Sequence, residues 1–217
     1  MDASDDEDEI SRRIDQWIRR TAYAPSATMR SESGRTRMRR WAQTILAAND
    51  RWMILDTETT GFANSDDIIE VAAVTPRGET LIDCLIRPGR RIPAEITQLT
   101  GIRDAMVAGS PSFRLAWEQT LAQQLGVRAI LAYNAPFDVR MLRQNVRRHC
   151  GLDWSPISSD CLMRAYASYR GERQARGGYR SHRLGDACAQ MGIAHEHAHR
   201  ALEDCLVSAR LLQAMAR

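Results

Sequence analysis

Two acidic residues, Asp56 and Glu58, stand two positions apart directly after the apolar residues 52–55. Residues i and i+2 of a strand project from the same face, so a strand over residues 51–56 predicts two carboxylates side by side at its end. Two such charges are tolerated together and away from water when a cation holds them, and oxygen ligands favour Mg²⁺ or Mn²⁺. The spacing alone is equally compatible with an acidic turn, because Asp, Thr and Gly are common turn residues.

A third acid, Asp138, follows a second apolar run at residues 129–132. Pro136 favours the start of a helix, which places Asp138 in a first helical turn. The helix dipole stabilises a carboxylate there, so Asp138 also has a purely structural interpretation. Asn134 fits the N-cap position of this helix.

A histidine and an acid near the C-terminus, His199 and Asp204, are five residues apart. On one continuous helix they would point about 140° apart, so they converge only if His199 lies in the loop or first turn that enters the helix. His195 and His197 are close in sequence but lack this relation to Asp204. A zinc site built from the three histidines and a cysteine is an alternative, although no paired second cluster accompanies it.

The ordered set of Asp56 and Glu58, Asp138, and His199 with Asp204 resembles the DEDDh family of 3′→5′ exonucleases, in the ribonuclease H-like superfamily. That family includes the proofreading epsilon subunit of DNA polymerase III and ribonuclease T. The resemblance extends over residues 51–214, and the segments 99–102 and 181–188 also fit it. It implies an α/β fold with a ribonuclease H-like mixed five-stranded sheet flanked by helices.

The resemblance also implies the chemistry and the roles of the site residues. Two Mg²⁺ or Mn²⁺ ions would be held by Asp56, Glu58, Asp138 and Asp204, with His199 as general base. The enzyme would release nucleoside 5′-monophosphates from the 3′ end of single-stranded nucleic acid, DNA in preference to RNA. Phe62 would stack on the terminal base, although a core phenylalanine that closes a turn fits equally well. The substrate-binding set is Thr59, Thr60, Gly61, Phe62, Leu99, Ile102 and Asn134.

Apolar and turn patterns predict two parts of the chain. Residues 1–49 are expected to form an N-terminal extension with an acidic tail, short helices and an arginine-rich linker, and residues 50–217 the exonuclease domain. Within that domain we expect strands near 51–56, 68–74, 80–86, 129–132 and 157–160. The expected helices lie at 94–99, 112–125, 136–149, 161–169, 182–191 and 200–215.

Composition narrows the class of protein. The 217 residues are 44% hydrophobic, which supports a core, and no apolar run approaches the length of a membrane span. Five scattered cysteines and an acidic N-terminus favour a cytoplasmic protein with reduced thiols. The net charge is only +3, but residues 140–183 carry ten arginines against three acids. Such a segment beside an acidic metal site is what a nucleic-acid backbone would require.

Two other functions remain open at this level. One is an RNA-directed exonuclease of the oligoribonuclease or ribonuclease T kind. The other is a non-catalytic polymerase-accessory module that binds nucleic acid; the intact set of five site residues argues against it. A polymerase or repair partner is compatible with each reading, and the sequence does not determine the oligomeric state.

Overall fold

The computed structural model describes residues 33–175, 177–196 and 199–217. The acidic tail and the helix expected near residues 10–18 lie outside the described residues, as do residues 176, 197 and 198. No helix in the described ranges is long and apolar enough to cross a bilayer.

Five strands form one mixed sheet in the order β3-β2-β1-β4-β5. They are β1 (Trp52–Thr59), β2 (Ile68–Val74), β3 (Thr80–Leu85), β4 (Ala129–Ala132) and β5 (Ser159–Cys161). The first three strands form an antiparallel meander, and β4 and β5 run parallel to β1. The predicted α/β class and mixed five-stranded sheet are confirmed, and β1 extends past the acidic residues that were expected to end it.

Helices cover both faces of this sheet. Their bounds are α1 (Gly34–Ala47), α2 (Ala94–Thr100), α3 (Asp104–Val107), α4 (Phe113–Ala116), α5 (Ala122–Leu125), α6 (Ala135–Cys150), α7 (Leu162–Arg170), α8 (Leu184–Gln190) and α9 (Ala201–Ala216). A π-helical turn, Trp117–Leu121, joins α4 to α5 and interrupts the single helix expected over 112–125. The short α3 was not predicted, and a 3₁₀ turn, Asn49–Arg51, leads into β1.

The alternation of side chains along β1 divides the hydrophobic core into two clusters. Trp52 and Ile54 face a cluster built from α1, α7, α8 and α9. Met53 and Leu55 face the opposite cluster, which α4 to α6 and the π-helical turn cover. Continuation of the same period places Asp56 and Glu58 on the α9 side and Thr57 on the α6 side.

Helix α1 belongs to the same core as the sheet. Met38, Trp41, Ala42 and Ile45 are buried in the cluster that contains Ile54. The Trp41 indole Nε1 donates a hydrogen bond of 3.0 Å to Oδ2 of Asp160, the middle residue of β5. The predicted extension therefore contributes a structural helix, whatever the role of residues that precede it.

We expect Ile45→Ala to lower the free energy of unfolding by about 2–5 kcal/mol, the usual cost of truncating a fully buried aliphatic side chain. Ile45 is 2% exposed, whereas the adjacent Leu46 is only partly buried. Leu46→Ala is thus the matched control and should cost less. Urea unfolding of both variants measures the difference, and equal midpoints for Ile45→Ala and the unchanged protein would show that α1 does not support the fold.

Candidate active site

The end of β1 places two carboxylates on the face of the sheet that α9 covers. Asp56 pairs with Ala72 of β2, and Glu58 pairs with Glu70. The register of the two strands shifts directly after Glu58, where the strand approaches its end. Asp56 and Glu58 are both half-buried, so their carboxylates lie at the border between the core and the solvent.

Asp138 reaches the site from the other face of the sheet. It lies in the first turn of α6, after Pro136, and is 2% exposed. The Thr57 hydroxyl donates a hydrogen bond of 2.9 Å to Asp138 Oδ1. Sequence reasoning overlooked Thr57, although a threonine between two carboxylates of a strand points by alternation toward the opposite helix.

Glu58, His199 and Asp204 come together although they are far apart in sequence. Each offers a potential ligand atom, and these atoms all lie within 4.8 Å of one another. His199 precedes α9 and has a φ of 68°, the left-handed conformation that turns the chain before the helix begins. The expectation that His199 must lie outside the helix in order to approach Asp204 is confirmed.

An ion pair that sequence reasoning missed anchors this turn. Glu70 is 1% exposed, and Arg200 donates to its Oε1 at 2.7 Å through Nη2. The backbone N–H of Ala201, the first residue of α9, donates to Glu70 Oε2 at 2.9 Å. Glu70 therefore fixes the start of α9 next to Glu58. A glutamate inside the otherwise apolar run 68–74 was the available signal.

His195 also contacts the site, contrary to the expectation that it is unrelated to Asp204. Its Nε2 lies 2.7 Å from Asp204 Oδ1, and both side chains are largely buried. The two residues are nine positions apart, and His195 does not belong to a helix, so no helical spacing rule could have identified the pair. His197 lies outside the described residues.

Burial and mutual repulsion raise the pKa values of the acids in the site. Burial raises the pKa of Glu58 to about 8, and the negative charges of Asp204, Glu70 and Asp138 add to the shift. Burial also raises the pKa of Asp138 to about 7, against the hydrogen bond from Thr57. The pKa of Asp56 is raised well above its ordinary range by burial and then by Asp138.

The pKa of Asp204 is also raised, although its histidine neighbours oppose the shift. Burial raises its pKa, while the hydrogen bond from His195 and the charges of His195 and His199 lower it. A cluster in which every carboxylate prefers a proton is one that a divalent cation stabilises by replacing those protons. The all-oxygen carboxylate set fits Mg²⁺ or Mn²⁺, and within the described residues the ligand cluster contains no cysteine, so the zinc alternative gains no support.

The residues expected to bind substrate differ in their accessibility. Phe62 is 72% exposed and its ring lies 5.8 Å from that of Phe137, so the core interpretation of Phe62 is wrong. Leu99 is 45% exposed on α2. Asn134 is exposed at the N-cap position of α6, but its side chain makes no capping hydrogen bond, contrary to expectation.

Ile102 does not reach the surface. It is 0% exposed and packs with Ile69, Ile92, Ile96 and Val107, so its side chain holds the loop after α2 against the sheet. The expectation that it touches a nucleotide is not met in this conformation, because the glycine turn at 101 directs it inward.

The turn after β1 is tightly bonded. The Thr59 hydroxyl donates to the Gly61 carbonyl at 2.7 Å, and the Thr60 amide donates to the Asp67 carbonyl at 2.8 Å. A Cβ on Gly61 would lie 2.6 Å from Asp66 Oδ2, so only glycine fits. With Thr59 and Thr60 buried, a ligand here would meet mainly the main chain.

A family model described as exonuclease matches residues 53–212. An uncharacterised exonuclease, CP81, of Escherichia phage 186 is 33% identical over 188 residues, which are 83% of this chain and 93% of that protein. The PolC-type DNA polymerase III of Thermotoga maritima is 33% identical over 167 residues, which are 74% of this chain but only 11% of the polymerase.

Solved structures agree on the fold. Exonuclease X in complex with 5′ overhanging duplex DNA has a TM-score of 0.55 and 25% identity, covering 76% of this chain and 90% of its own. Cell-death related nuclease 4 has a TM-score of 0.60 at 19% identity, covering 76% of this chain and 62% of its own. The second likeness concerns the fold alone, and the predicted ribonuclease H-like architecture is confirmed.

The raised pKa values generate a prediction for the metal-free protein. Between about pH 4 and pH 8 the folded state binds more protons than the unfolded state, because Glu58 and Asp138 hold theirs to about 8 and 7. Stability should therefore fall as pH rises through that window, the reverse of a salt-bridged acid. Melting temperatures in EDTA from pH 5 to pH 8 should decline by several degrees.

Mg²⁺ or Mn²⁺ should remove this decline, because a cation stabilises the deprotonated carboxylates. Glu58→Gln, which cannot lose a proton, should make the metal-free profile shallower between about pH 5 and pH 8, because only the other buried acids then release protons. An exposed acid such as Glu95 serves as the control, since Glu95→Gln should leave the slope unchanged. A metal-free protein that gains stability up to pH 8 would contradict the account.

Proposed function

We propose, from the premise that this chain belongs to the exonuclease family whose model spans residues 53–212, that it removes nucleoside 5′-monophosphates from the 3′ end of single-stranded nucleic acid, with DNA preferred. The observation that carries the proposal is the convergence of Glu58, His199 and Asp204 beside the half-buried Asp56 and the buried Asp138. The names of the relatives, a DNA polymerase and an exonuclease bound to DNA, support the choice of DNA.

The four carboxylates form one cluster, to which we assign two cations. Glu58 and Asp204 offer ligand atoms within 4.8 Å of each other, and, after burial, the charges of Asp138, Glu58 and Asp204 all raise the pKa of Asp56. We assign all four as ligands of Mg²⁺ or Mn²⁺. When bound, such ions supply positive charge that stabilises the attacking and leaving oxygens of a phosphodiester.

His199 is suited to accept the proton of the attacking water. Its side chain is exposed, so it can exchange protons with solvent, and it lies beside Glu58 and Asp204. A neutral imidazole can accept a proton from a water molecule. The water oxygen bonds to phosphorus, and the bond from phosphorus to the 3′-oxygen of the penultimate nucleotide breaks. That 3′-oxygen takes up a proton from solvent, and the phosphate remains on the 5′-oxygen of the released nucleotide.

The terminal nucleotide has a matching surface. Phe62 presents an exposed ring next to Phe137, which suits base stacking, and Leu99 offers a second apolar contact. We place the terminal 3′-hydroxyl beside the main chain of residues 59–61, close to Glu58. A phosphate at that position would add negative charge next to carboxylates.

Digestion of 5′-labelled single-stranded DNA and RNA, each with a 3′-hydroxyl or a 3′-phosphate, tests the proposal. In Mg²⁺ we expect stepwise shortening of the DNA, slower loss of the RNA and strong inhibition by the 3′-phosphate. Asp56→Asn should abolish the reaction, whereas Asp50→Asn, at an exposed position before β1, is the control that should leave it intact. Faster digestion of RNA would favour the ribonuclease alternative, and an active Asp56→Asn would contradict the assignment of the metal ligands.

Two histidine variants separate a proton acceptor from a residue that orients a ligand. His199→Ala should lower kcat by about 10²–10⁴-fold and remove the acid limb of the pH profile, and added metal should not restore it. His195→Ala frees Asp204 from its 2.7 Å partner and should weaken metal binding or activity by about 10–100-fold. Millimolar Mn²⁺ should restore the activity of His195→Ala but not that of His199→Ala.

His149, in the last turn of α6, pairs with Asp67 and with none of the four carboxylates, so it provides the control for removing an imidazole. If His199→Ala kept its turnover while His195→Ala lost turnover at all metal concentrations, the assignment of the general base to His199 would be wrong.

A further inference from the structure

A cleft of about 890 Å³ lies beside the candidate active site, between the exposed side of α6, the loop before β5 and the start of α7. Four arginines line it: Arg140, Arg143 and Arg147 of α6, and Arg164 of α7. The three arginines of α6 are separated by three and four residues, so they form one stripe along the helix. We call this cleft the arginine groove.

The positive charge of the arginine groove is poorly compensated. Among the described residues, no carboxylate or hydrogen-bond acceptor contacts the guanidinium groups of Arg147 and Arg164, and Arg143 bonds only to the Ser155 hydroxyl at 3.0 Å. The groove holds two acids, Asp153 and Asp160. Asp160 is already engaged by the Trp41 indole at 3.0 Å and by the Cys161 amide at 3.2 Å.

Other arginines of the same basic segment behave differently. Arg148 faces away from the groove and pairs with Asp67, and Arg170 pairs with Glu172 at 3.0 Å. The four arginines of the groove, none of which pairs with a carboxylate among the described residues, therefore share one surface. Such a concentration is the electrostatic pattern expected where an anionic polymer binds.

One end of the groove opens at the candidate active site. Ala135 and Pro136 line it, and Asp138 follows two residues later. Arg140 donates to the Phe62 carbonyl at 3.2 Å and lies 5.4 Å from the centre of the Phe137 ring. The groove thus begins next to the surface to which we assign the terminal base.

The other end continues toward α1. A second cleft of about 220 Å³ shares Asp160, Cys161 and Arg164 with the arginine groove, and its far wall is Arg37, Met38 and Trp41 of α1. Trp154, half-buried and in edge contact with Trp117, adds an aromatic surface to the wall of the larger cleft. Arginine forks and aromatic rings are the groups that hold a single strand.

We propose, resting on the function proposed above, that the arginine groove binds the phosphodiester backbone of the strand on the 5′ side of the terminal nucleotide. The strand runs from the base at Phe62 along Arg140, Arg143 and Arg147, then past Arg164 toward α1. Guanidinium groups contact successive phosphates, and a base stacks on Trp154. The groove thereby positions a long single strand so that its 3′ end enters the site.

Binding of 5′-fluorescein-labelled dT₂₀ in EDTA, followed by anisotropy from 50 to 300 mM NaCl, tests the groove without hydrolysis. The triple variant Arg143→Gln, Arg147→Gln and Arg164→Gln should bind more weakly than the unchanged protein. Its slope of log K against log salt should be smaller in magnitude by about 2, since each phosphate contact with a single strand contributes about 0.7. The control triple Arg77→Gln, Arg114→Gln and Arg210→Gln removes the same charge from other surfaces and should keep the slope.

Catalysis supplies a second readout. The ratio of kcat/KM for a 20-nucleotide strand to that for a dinucleotide should fall toward one in the groove variant and not in the control. Equal salt slopes for the two triple variants, or no binding of dT₂₀ by the unchanged protein in EDTA, would overturn the groove. Binding that depends on the groove without digestion of any strand would instead refute the proposed function and leave the groove standing.

Discussion

Repulsion among carboxylates that are withdrawn from water is the constraint around which this structure is organised. Asp56, Glu58, Asp138 and Asp204 meet at the end of one strand, and burial raises the pKa of each of them. A protein gains no stability from such a cluster in the absence of a counter-charge, because each acid must either stay protonated or repel its neighbours. The fold therefore contains a preformed cluster of acids that bound cations would stabilise, and the sheet supplies the rigidity that keeps the acids together.

The surrounding contacts keep that cluster in place. Glu70, opposite Glu58 on the neighbouring strand β2, forms an ion pair with Arg200 and accepts a hydrogen bond from the first amide of α9. It therefore fixes the start of the helix that carries Asp204. Thr57 and His195 each bond to one of the carboxylates, Asp138 and Asp204 respectively. The positive φ of His199 lets the chain present its imidazole beside Asp204 before the helix begins. Removal of any one of these partners should loosen a ligand rather than unfold the domain.

Local patterns sufficed for much of this arrangement. The apolar run before Asp56 predicted β1, and the proline before Asp138 predicted the start of α6. The helix expected at 200–215 corresponds to α9, and strand alternation predicted that Asp56 and Glu58 share one face of the sheet. Contacts that depend on the tertiary path of the chain could not be predicted from local patterns. The His195–Asp204 pair and the burial of Ile102 are examples. The basic segment 140–183 was evident from composition. The structure was needed to show that Arg143 and Arg147 line one cleft, whereas Arg148 pairs with Asp67 outside it.

The central claim is that divalent cations replace protons on the buried carboxylates. Calorimetric titration of Mn²⁺ into the metal-free protein at pH 7, repeated in buffers of different ionisation enthalpy, measures both the ions bound and the protons released. The account predicts saturable binding with release of about one proton or more, since Glu58 and Asp138 titrate near or above that pH. It also predicts that the release decreases in Glu58→Gln. Binding without proton release, or no saturable binding at all, would contradict it.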